Sequence, residues 1–516
     1  MKRFPRQIRL CAILISLLWP SAGPASEVVL DPALLRAIET SQGGTRFPVL
    51  LQLRSNVSLK KIEGSKLQRG REVFRRLRAR APEQAALQAW LGSRGISSRS
   101  LWIAGVVAAE LDSGVLGELA NRSDLAAILL DAPVRFDLPT PSSEPLFFLP
   151  EAVEWGVQKI RAPEVWSLGV DGDGVVVGGQ DTGYRWDHAA LKNQYRGWNG
   201  SSVDHNYHWH DAIHSGGGSC GANSPVPCDD HNHGTHTMGT IVGDDGGTNQ
   251  IGVAPGARWI GCRNMDQGVG TLSTYLECFQ WFLAPTDLAG NNPNPDLAPD
   301  VINNSWGCPP EEGCNSTNWS VMEAAIEALR AAGIVVVVSA GNSGPACSSV
   351  SDPPAIFEGS FSVGSTTSSD TLSSFSSRGP VTVDGSNRLK PNVVAPGSSV
   401  RSALKSTPTS YGTMSGTSMA GPHVAGAVAL LISAHPALRG KVELLELLLE
   451  KTAVPTVSGA STCGGIPPTT IPNPSFGWGR IDAFAAVQAV LLADDFELGS
   501  LCRWDAVGDP PAPACP

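Results

Sequence analysis

The sequence predicts an α/β protein: a parallel β-sheet flanked by helices on both faces, preceded by a small α+β domain. Two observations carry this expectation. Between residues 151 and 492, short β-branched runs alternate with helical patterns, the order produced when crossover helices link parallel strands. Upstream, residues 47–136 read as strand, helix, paired strands, helix and strand, which fits a β-α-β-β-α-β unit. The length of 516 residues accommodates both units, because one average domain is far shorter.

Taken in order, residues 1–26 read as a secretory signal peptide. Lys2, Arg3, Arg6 and Arg9 precede the apolar run Leu10–Trp19, and small residues follow through Ala22, Gly23, Ala25 and Ser26. That run is about half of the roughly 20 residues a spanning helix needs. No later run is longer without charge or proline, so no membrane anchor is expected. Cys11 precedes most of the apolar stretch and is not read as a lipid-anchor cysteine.

In the α+β unit, Phe47–Leu53 reads as a strand, Ser65–Leu91 as one basic amphipathic helix and Leu101–Leu111 as strand material. Ser113–Asn121 follows as a helix and Leu125–Phe136 as a closing strand. Residues 138–150, rich in Pro and Ser, read as an exposed linker and a natural place for a cut. In the larger unit Val175–Gln180, Trp259–Asn264, Val301–Asn304, Ile334–Ala340 and Phe361–Ser365 are strand-like. Ser273–Phe282, Asn318–Ala332 and Thr417–Ala434 are helix-like. Functional residues of such sheets gather at the carboxyl ends of strands. Residues 494–516 are too short for a domain.

The net charge of -10 and pI of about 5.5 make nucleic acid an unexpected partner, since phosphate binding needs a basic surface. The charge is divided: residues 151–516 hold 18 basic against 35 acidic side chains, whereas residues 27–150 come to +3. The two parts should attract. Of 11 cysteines, ten follow Cys11, an even number that favours disulfides on an exported chain. Cys220/Cys228, Cys308/Cys314 and Cys502/Cys515 are close in sequence, and Cys262/Cys278 with Cys347/Cys463 complete the set. No Cys-x-x-Cys pair suggests zinc.

Three clusters carry chemistry. Asp181 ends the apolar run Val175-Val-Val-Gly-Gly-Gln-Asp181-Thr-Gly; alone it could cap a turn, and an aspartic-protease reading would need a second such acid. His233 lies in Asp229-Asp-His-Asn-His233-Gly-Thr-His236, which lacks the spacing of a zinc-protease helix. His231 and His236 are read as structural. Ser418 opens a buried helix within Gly412–Gly426, where an unpaired helix-start N–H faces any anion formed nearby. His423 is read as structural. A serine hydroxyl needs a base, and the base needs a carboxylate. Asn342, in Ser339-Ala-Gly-Asn342-Ser-Gly, is the candidate donor to a developing oxyanion.

The blocks Gln180–Gly183, His233–His236 and Gly416–His423, in that order, resemble the signature blocks of subtilisin-like serine peptidases. The resemblance spans residues 151–492 and includes Ser339–Gly344 and Val301–Gly307. The long Trp-, His- and Cys-rich insertion between Asp181 and His233 is similar to the bacillopeptidase-like branch. It implies a secreted serine endopeptidase with Asp181, His233 and Ser418 as catalytic triad and Asn342 as oxyanion donor. Protein or peptide substrates would pair with the backbone of Ser305, Trp306 and Gly307, with Trp306 walling a subsite. Residues 27–137 would be a propeptide that inhibits its own catalytic domain, residues 151–493. The chemistry requires no cofactor; the family often carries structural calcium, but no site maps onto this sequence, and the Asp and Asn of Gly243–Asn249 and Asn291–Asp300 fit ordinary turns equally well. Glu311 and Glu312 suggest a preference for basic substrate residues.

Overall fold

A computed structural model describes residues 27–142, 153–309 and 314–491. The signal-peptide segment, Glu311 and Glu312, most of the linker, and the tail with Cys502/Cys515 lie outside the described residues.

The N-terminal domain comprises β1 (Val29–Leu30), α1 (Pro32–Thr40), β2 (Arg46–Leu53), α2 (Lys66–Arg78), α3 (Ala81–Gly92), β3 (Ser98–Leu101), β4 (Val106–Asp112), α4 (Ser113–Leu119) and β5 (Leu125–Leu130). Its sheet order is β1-β5-β2-β4-β3. The expected β-α-β-β-α-β unit is therefore present, with β1 added alongside β5. Two expectations need correction. The single helix over Ser65–Leu91 is two helices. Ser65 and Gln68 form a capping box at the start of α2, and Pro82 occupies the first turn of α3, where its missing N–H costs no helical bond. The closing strand ends at Leu130, and Val134–Arg135 departs as β6 to pair with the other domain.

The larger domain begins with α5 (Trp155–Lys159) and α6 (Ala162–Trp166), followed by β7 (Val176–Asp181), β8 (Trp209–Asp211), α7 (His233–Val242), β9 (Arg258–Arg263), β10 (Val269–Gly270), α8 (Leu272–Leu283), β11 (Val301–Asn304) and α9 (Trp319–Ala331). It continues through β12 (Val335–Ser339), β13 (Phe361–Thr366), β14 (Val393–Pro396), β15 (Val400–Ala403), β16 (Tyr411–Met414), α10 (Thr417–Ala434), α11 (Val442–Lys451) and α12 (Ala483–Leu491). Seven strands form one sheet in the order β14-β13-β12-β11-β7-β9-β8, all parallel.

Strand alternation explains the two helical layers. Val336 and Val338 of β12 join an apolar cluster with α8 and α9, whereas Val335 and Val337 join one with α7, α10 and α11. Helix α10 is long and apolar enough to cross a membrane, yet 89% of it is buried in this core. Disulfides join Cys220–Cys228, Cys262–Cys278, Cys308–Cys314 and Cys347–Cys463.

The N-terminal domain packs on α8 and α9, its Val73, Leu77, Trp102 and Leu129 sharing their apolar cluster. The attraction expected from the charge division takes the form of specific pairs. Lys66 Nζ donates to Asp300 Oδ1 and to the Ala298 carbonyl, both at 2.8 Å, Arg71 pairs with Asp296, and Arg99 with Glu277. Asp131 accepts the Ser273 N–H at 2.9 Å, capping the first turn of α8.

Candidate active site

The sheet brings the three sequence-selected residues to the ends of its central elements. Asp181 is the last residue of β7, His233 the first of α7, and Ser418 the second of α10. All three are buried. Gly234 allows this closeness: a Cβ there would stand 2.1 Å from the Gly183 carbonyl oxygen and 3.1 Å from Asp181 Cβ. The helix carrying His233 could not otherwise meet the Asp181 turn.

Asp181 is fixed from several sides. Its Oδ1 accepts the Thr182 N–H at 2.7 Å, and its carboxylate receives His233 Nδ1 at 2.8 and 2.9 Å. Thr237 Oγ1 adds a longer contact to Oδ2, 3.4 Å. With the ring proton on Nδ1, His233 keeps its lone pair on Nε2. That Nε2 is buried and has no hydrogen-bond partner among the described residues, so its basicity is not spent on a structural bond there.

Ser418 Oγ donates to the Ser305 carbonyl at 3.2 Å, and Ser305 Oγ returns a bond to the Ser418 carbonyl at 2.9 Å. This reciprocal pair ties the start of α10 to the end of β11. The hydroxyl is not bonded to Nε2 here; such catalytic bonds commonly tighten only with substrate. Asn342 Oδ1 is engaged by the Thr417 N–H at 2.9 Å and the Thr417 hydroxyl at 3.0 Å. Its amide Nδ2 is thereby turned outward: a Cβ on Gly416 would lie 3.6 Å from both Asn342 Nδ2 and Ser418 N. Two N–H donors thus border one small space beside Ser418, the arrangement an oxyanion needs.

Asp229 organises the His233 turn, a role the sequence reading missed. Its Oδ1 accepts from Thr182 Oγ1 at 2.9 Å and from the His231 and Asn232 N–H groups, and its Oδ2 accepts from Thr235. It satisfies α7's opening donors where Asn232, at φ 100°, makes no side-chain cap. Two further buried histidines are held by backbone carbonyls. His236 Nε2 is held at the Val400 carbonyl, 3.0 Å, and His423 Nδ1 at the Met419 carbonyl, 2.9 Å. Burial drives both well below the usual imidazole range, to about 3 and about 4, so they stay neutral.

A cleft beside these groups is filled by the chain itself. Val134 pairs with Gly270 and Arg135 with Val269 in an antiparallel ladder, and the Phe136 N–H donates to the Gly268 carbonyl at 2.8 Å. The ring of Phe136 reaches within 3.2 Å of the Cβ position of Gly307. Pro139 reaches within 2.8 Å of the Cβ position of Gly416, and the Ser142 N–H donates to the Thr413 carbonyl at 2.9 Å. An extended stretch, 134–142, therefore crosses the site. Edge strand β10 carries its pairing, and Gly-Val-Gly offers too short and too irregular a pattern to be read as a strand in advance.

Trp306 is fully buried, stacked on Tyr275 with centroids 4.0 Å apart and an 11° interplanar angle. It belongs to the same apolar cluster as Val134 and so underlies the cleft. In and beside the candidate calcium loops the described carboxylates are engaged by neighbouring donors. Asp245 accepts from Gly247, Asn249 and Tyr411, Asp287 from Ala289, Asn291 and Asn292, and Asp296 and Asp300 face Arg71 and Lys66. Their oxygens are directed to separate donors, not to a common point.

Comparison with known proteins agrees with this geometry. The family model described as the subtilase family matches residues 172–479. Bacillopeptidase F of Bacillus subtilis (strain 168) is 41% identical over 350 residues, 66% of this chain. The match covers only 22% of that relative's length. Subtilisin DY of Bacillus licheniformis is 32% identical over 290 residues, 56% of this chain and 87% of the relative. Subtilisin E of Bacillus subtilis (strain 168) is 32% identical over 289 residues, 55% of this chain and 62% of the relative. The seven-stranded sheet, Asp181 at a strand end, His233 at a helix start and Ser418 in the first turn of its helix all lie inside the matched region, and the chain belongs to the subtilase family.

Proposed function

We propose that this protein is a secreted serine endopeptidase, made as a precursor that cuts itself, with Asp181, His233 and Ser418 as its catalytic triad. The observation that carries the reading is His233, held through Nδ1 on both Asp181 oxygens with a buried Nε2 that has no partner among the described residues. His233 takes the Ser418 hydroxyl proton as the oxygen attacks the scissile carbonyl, then returns a proton to the leaving amine. The Ser418 N–H and the Asn342 amide stabilise the tetrahedral oxyanion. Acyl transfer of this kind needs no metal, and calcium could only be structural. The four disulfides suit an oxidising compartment.

Residues 27–137 act as the propeptide. Their domain docks on α8 and α9, and the segment that leaves it pairs with β10 as an added strand, the way an extended substrate binds. Phe136 at Gly268 and Pro139 at Gly416 bracket the Asp137–Leu138 bond, which we assign as the maturation cut. Ser418→Ala should leave a full-length precursor, lower casein hydrolysis by about four to six orders of magnitude and abolish labelling by a fluorophosphonate probe. N-terminal sequencing of the unmutated product should begin at Leu138. Parental casein hydrolysis by Ser418→Ala would refute the assignment of the nucleophile.

A further inference from the structure

The insertion between β7 and α7 adds a wall to the cleft. Along the antiparallel pair of β6 with β10, side chains alternate. Val134 turns into the core and is 1% exposed, whereas Arg135 turns outward on the opposite side. On Arg135's side opens a cavity of about 450 Å³, lined by Arg135, Ile213, His214, Asp266, Thr271 and Thr274. Ile213 and His214 come from the insertion, and Asp266 and Thr271 flank β10. The wall is held in place. Asp266 Oδ2 accepts the Gly217 N–H at 2.9 Å, His214 Nδ1 bonds Asn223 Oδ1 at 2.6 Å, and Cys220–Cys228 closes the loop.

The charge of this cavity is one-sided. Asp266 Oδ1 is buried with no hydrogen-bond partner among the described residues and lies 3.6 Å from Arg263, whose charge is already shared with Asp211 and Asp230. Behind His214 stands Glu277, whose carboxylate receives His214 Nε2 at 2.9 Å and is paired with Arg99 of the N-terminal domain. When residues 27–137 depart, Arg99 departs with them. The cavity then faces solvent with Asp266 at its edge and Glu277 behind, and the Arg135 side chain that lines it has left with the domain.

We infer that this cavity is a side-chain subsite for the substrate residue that pairs with Val269, and that it selects long cationic side chains, arginine or lysine. Arg135 is the chain's own occupant of that position. The inference rests on the serine-endopeptidase reading and gives that reading a substrate preference at one place along the cleft. Selection is electrostatic: a guanidinium at hydrogen-bond range from a shielded carboxylate gains, and a carboxylate in the same place is repelled.

The test uses the matured enzyme and four internally quenched peptides copying residues 131–142, with Arg, Lys, Gln or Glu at position 135. We expect kcat/KM for the Arg and Lys peptides to exceed that for the Glu peptide about tenfold or more, with Gln between. Asp266→Asn, which keeps the acceptor for Gly217, should cut the Arg-over-Glu ratio to within about threefold. Ser215→Asp, on the exposed rim of the same cavity, should raise it severalfold, and serves if Asp266→Asn does not fold. Equal cleavage of the Arg and Glu peptides, or a ratio unmoved by both substitutions, overturns the subsite while leaving the peptidase reading intact. A matured protein that neither cuts any of the four nor reacts with a fluorophosphonate overturns both.

Discussion

The catalytic constellation and the insertion beside it are held together by different physics. Around Asp181, His233 and Ser418 the bonds are short and local, made by backbone N–H groups, threonine hydroxyls and one carboxylate, Asp229. Around the insertion the work is done by charge. Arg263, fully buried, is paired with Asp211 at 3.3 Å and with Asp230, and donates to the Gly217 and Gly221 carbonyls at 2.8 Å. Burial raises Asp230 to about 7 even beside that guanidinium. The insertion's buried ion pairs, shielded from solvent, are little screened by salt, but removing one partner leaves an uncompensated charge.

The sharpest way to break the first region without touching the second is Asn342→Ala. It removes one of two oxyanion donors and should lower kcat by about 10²–10³ with little change in KM. Steady-state kinetics on a peptide substrate would show it; a fall confined to KM would mean that Asn342 binds substrate without stabilising the transition state. The complementary break is Arg263→Met. Two buried carboxylates lose their counter-charge, and unfolding stability should drop by about 3–5 kcal/mol, read as a lower urea midpoint. Fluorophosphonate labelling of Ser418 in the still-folded variant should persist. Loss of labelling along with stability would show that the two regions are not independent.

The smallest expected effect concerns acidity. His210 and His214 both reach Glu277, at 2.8 and 2.9 Å. Burial, then His214 and Arg99, hold His210 down at about 3; burial and Arg99 also lower His214. When the N-terminal domain undocks, Arg99 leaves both rings and their protonation becomes easier. As pH falls below 6.5 towards 3, the undocked form takes up protons that the docked form refuses, so docking weakens. Asp131, raised by burial against α8, works in the opposite direction. The difference between proteins therefore isolates the histidines: activity should appear a few-fold faster at pH 5.5 than at 7.5, and His210→Gln with His214→Gln should remove most of that acceleration. An unchanged ratio in the double variant would exclude them.

Much of the site was legible in advance because its constraints are local. Asp181 at a strand end, His233 before Gly234 and Ser418 at a helix start each need particular neighbours in sequence, and helix α10 runs over the very residues expected, Thr417–Ala434. What escaped was set by distant partners. Strand β10 exists because Val134 and Arg135, over a hundred residues away, pair with it. Strand β8, inside the insertion, forms against β9. Asp229 looked like one acid among several until the fold closed Thr182 and Thr235 around it. The break between α2 and α3 falls at Pro82, in the first turn of α3, within a stretch whose amphipathic pattern reads as one helix.

The threading of residues 134–142 through the cleft has a consequence for timing. A segment tethered to a docked domain presents itself at an effective concentration in the millimolar range, set by geometry and not by the bulk solution. Free peptides at micromolar levels compete poorly with such a neighbour, and dilution does not dislodge it. On the proposed precursor reading, cutting one bond within it would not by itself start turnover, because both new ends would still be held. Activity would begin only when the domain lets go or is digested, as a single event per molecule.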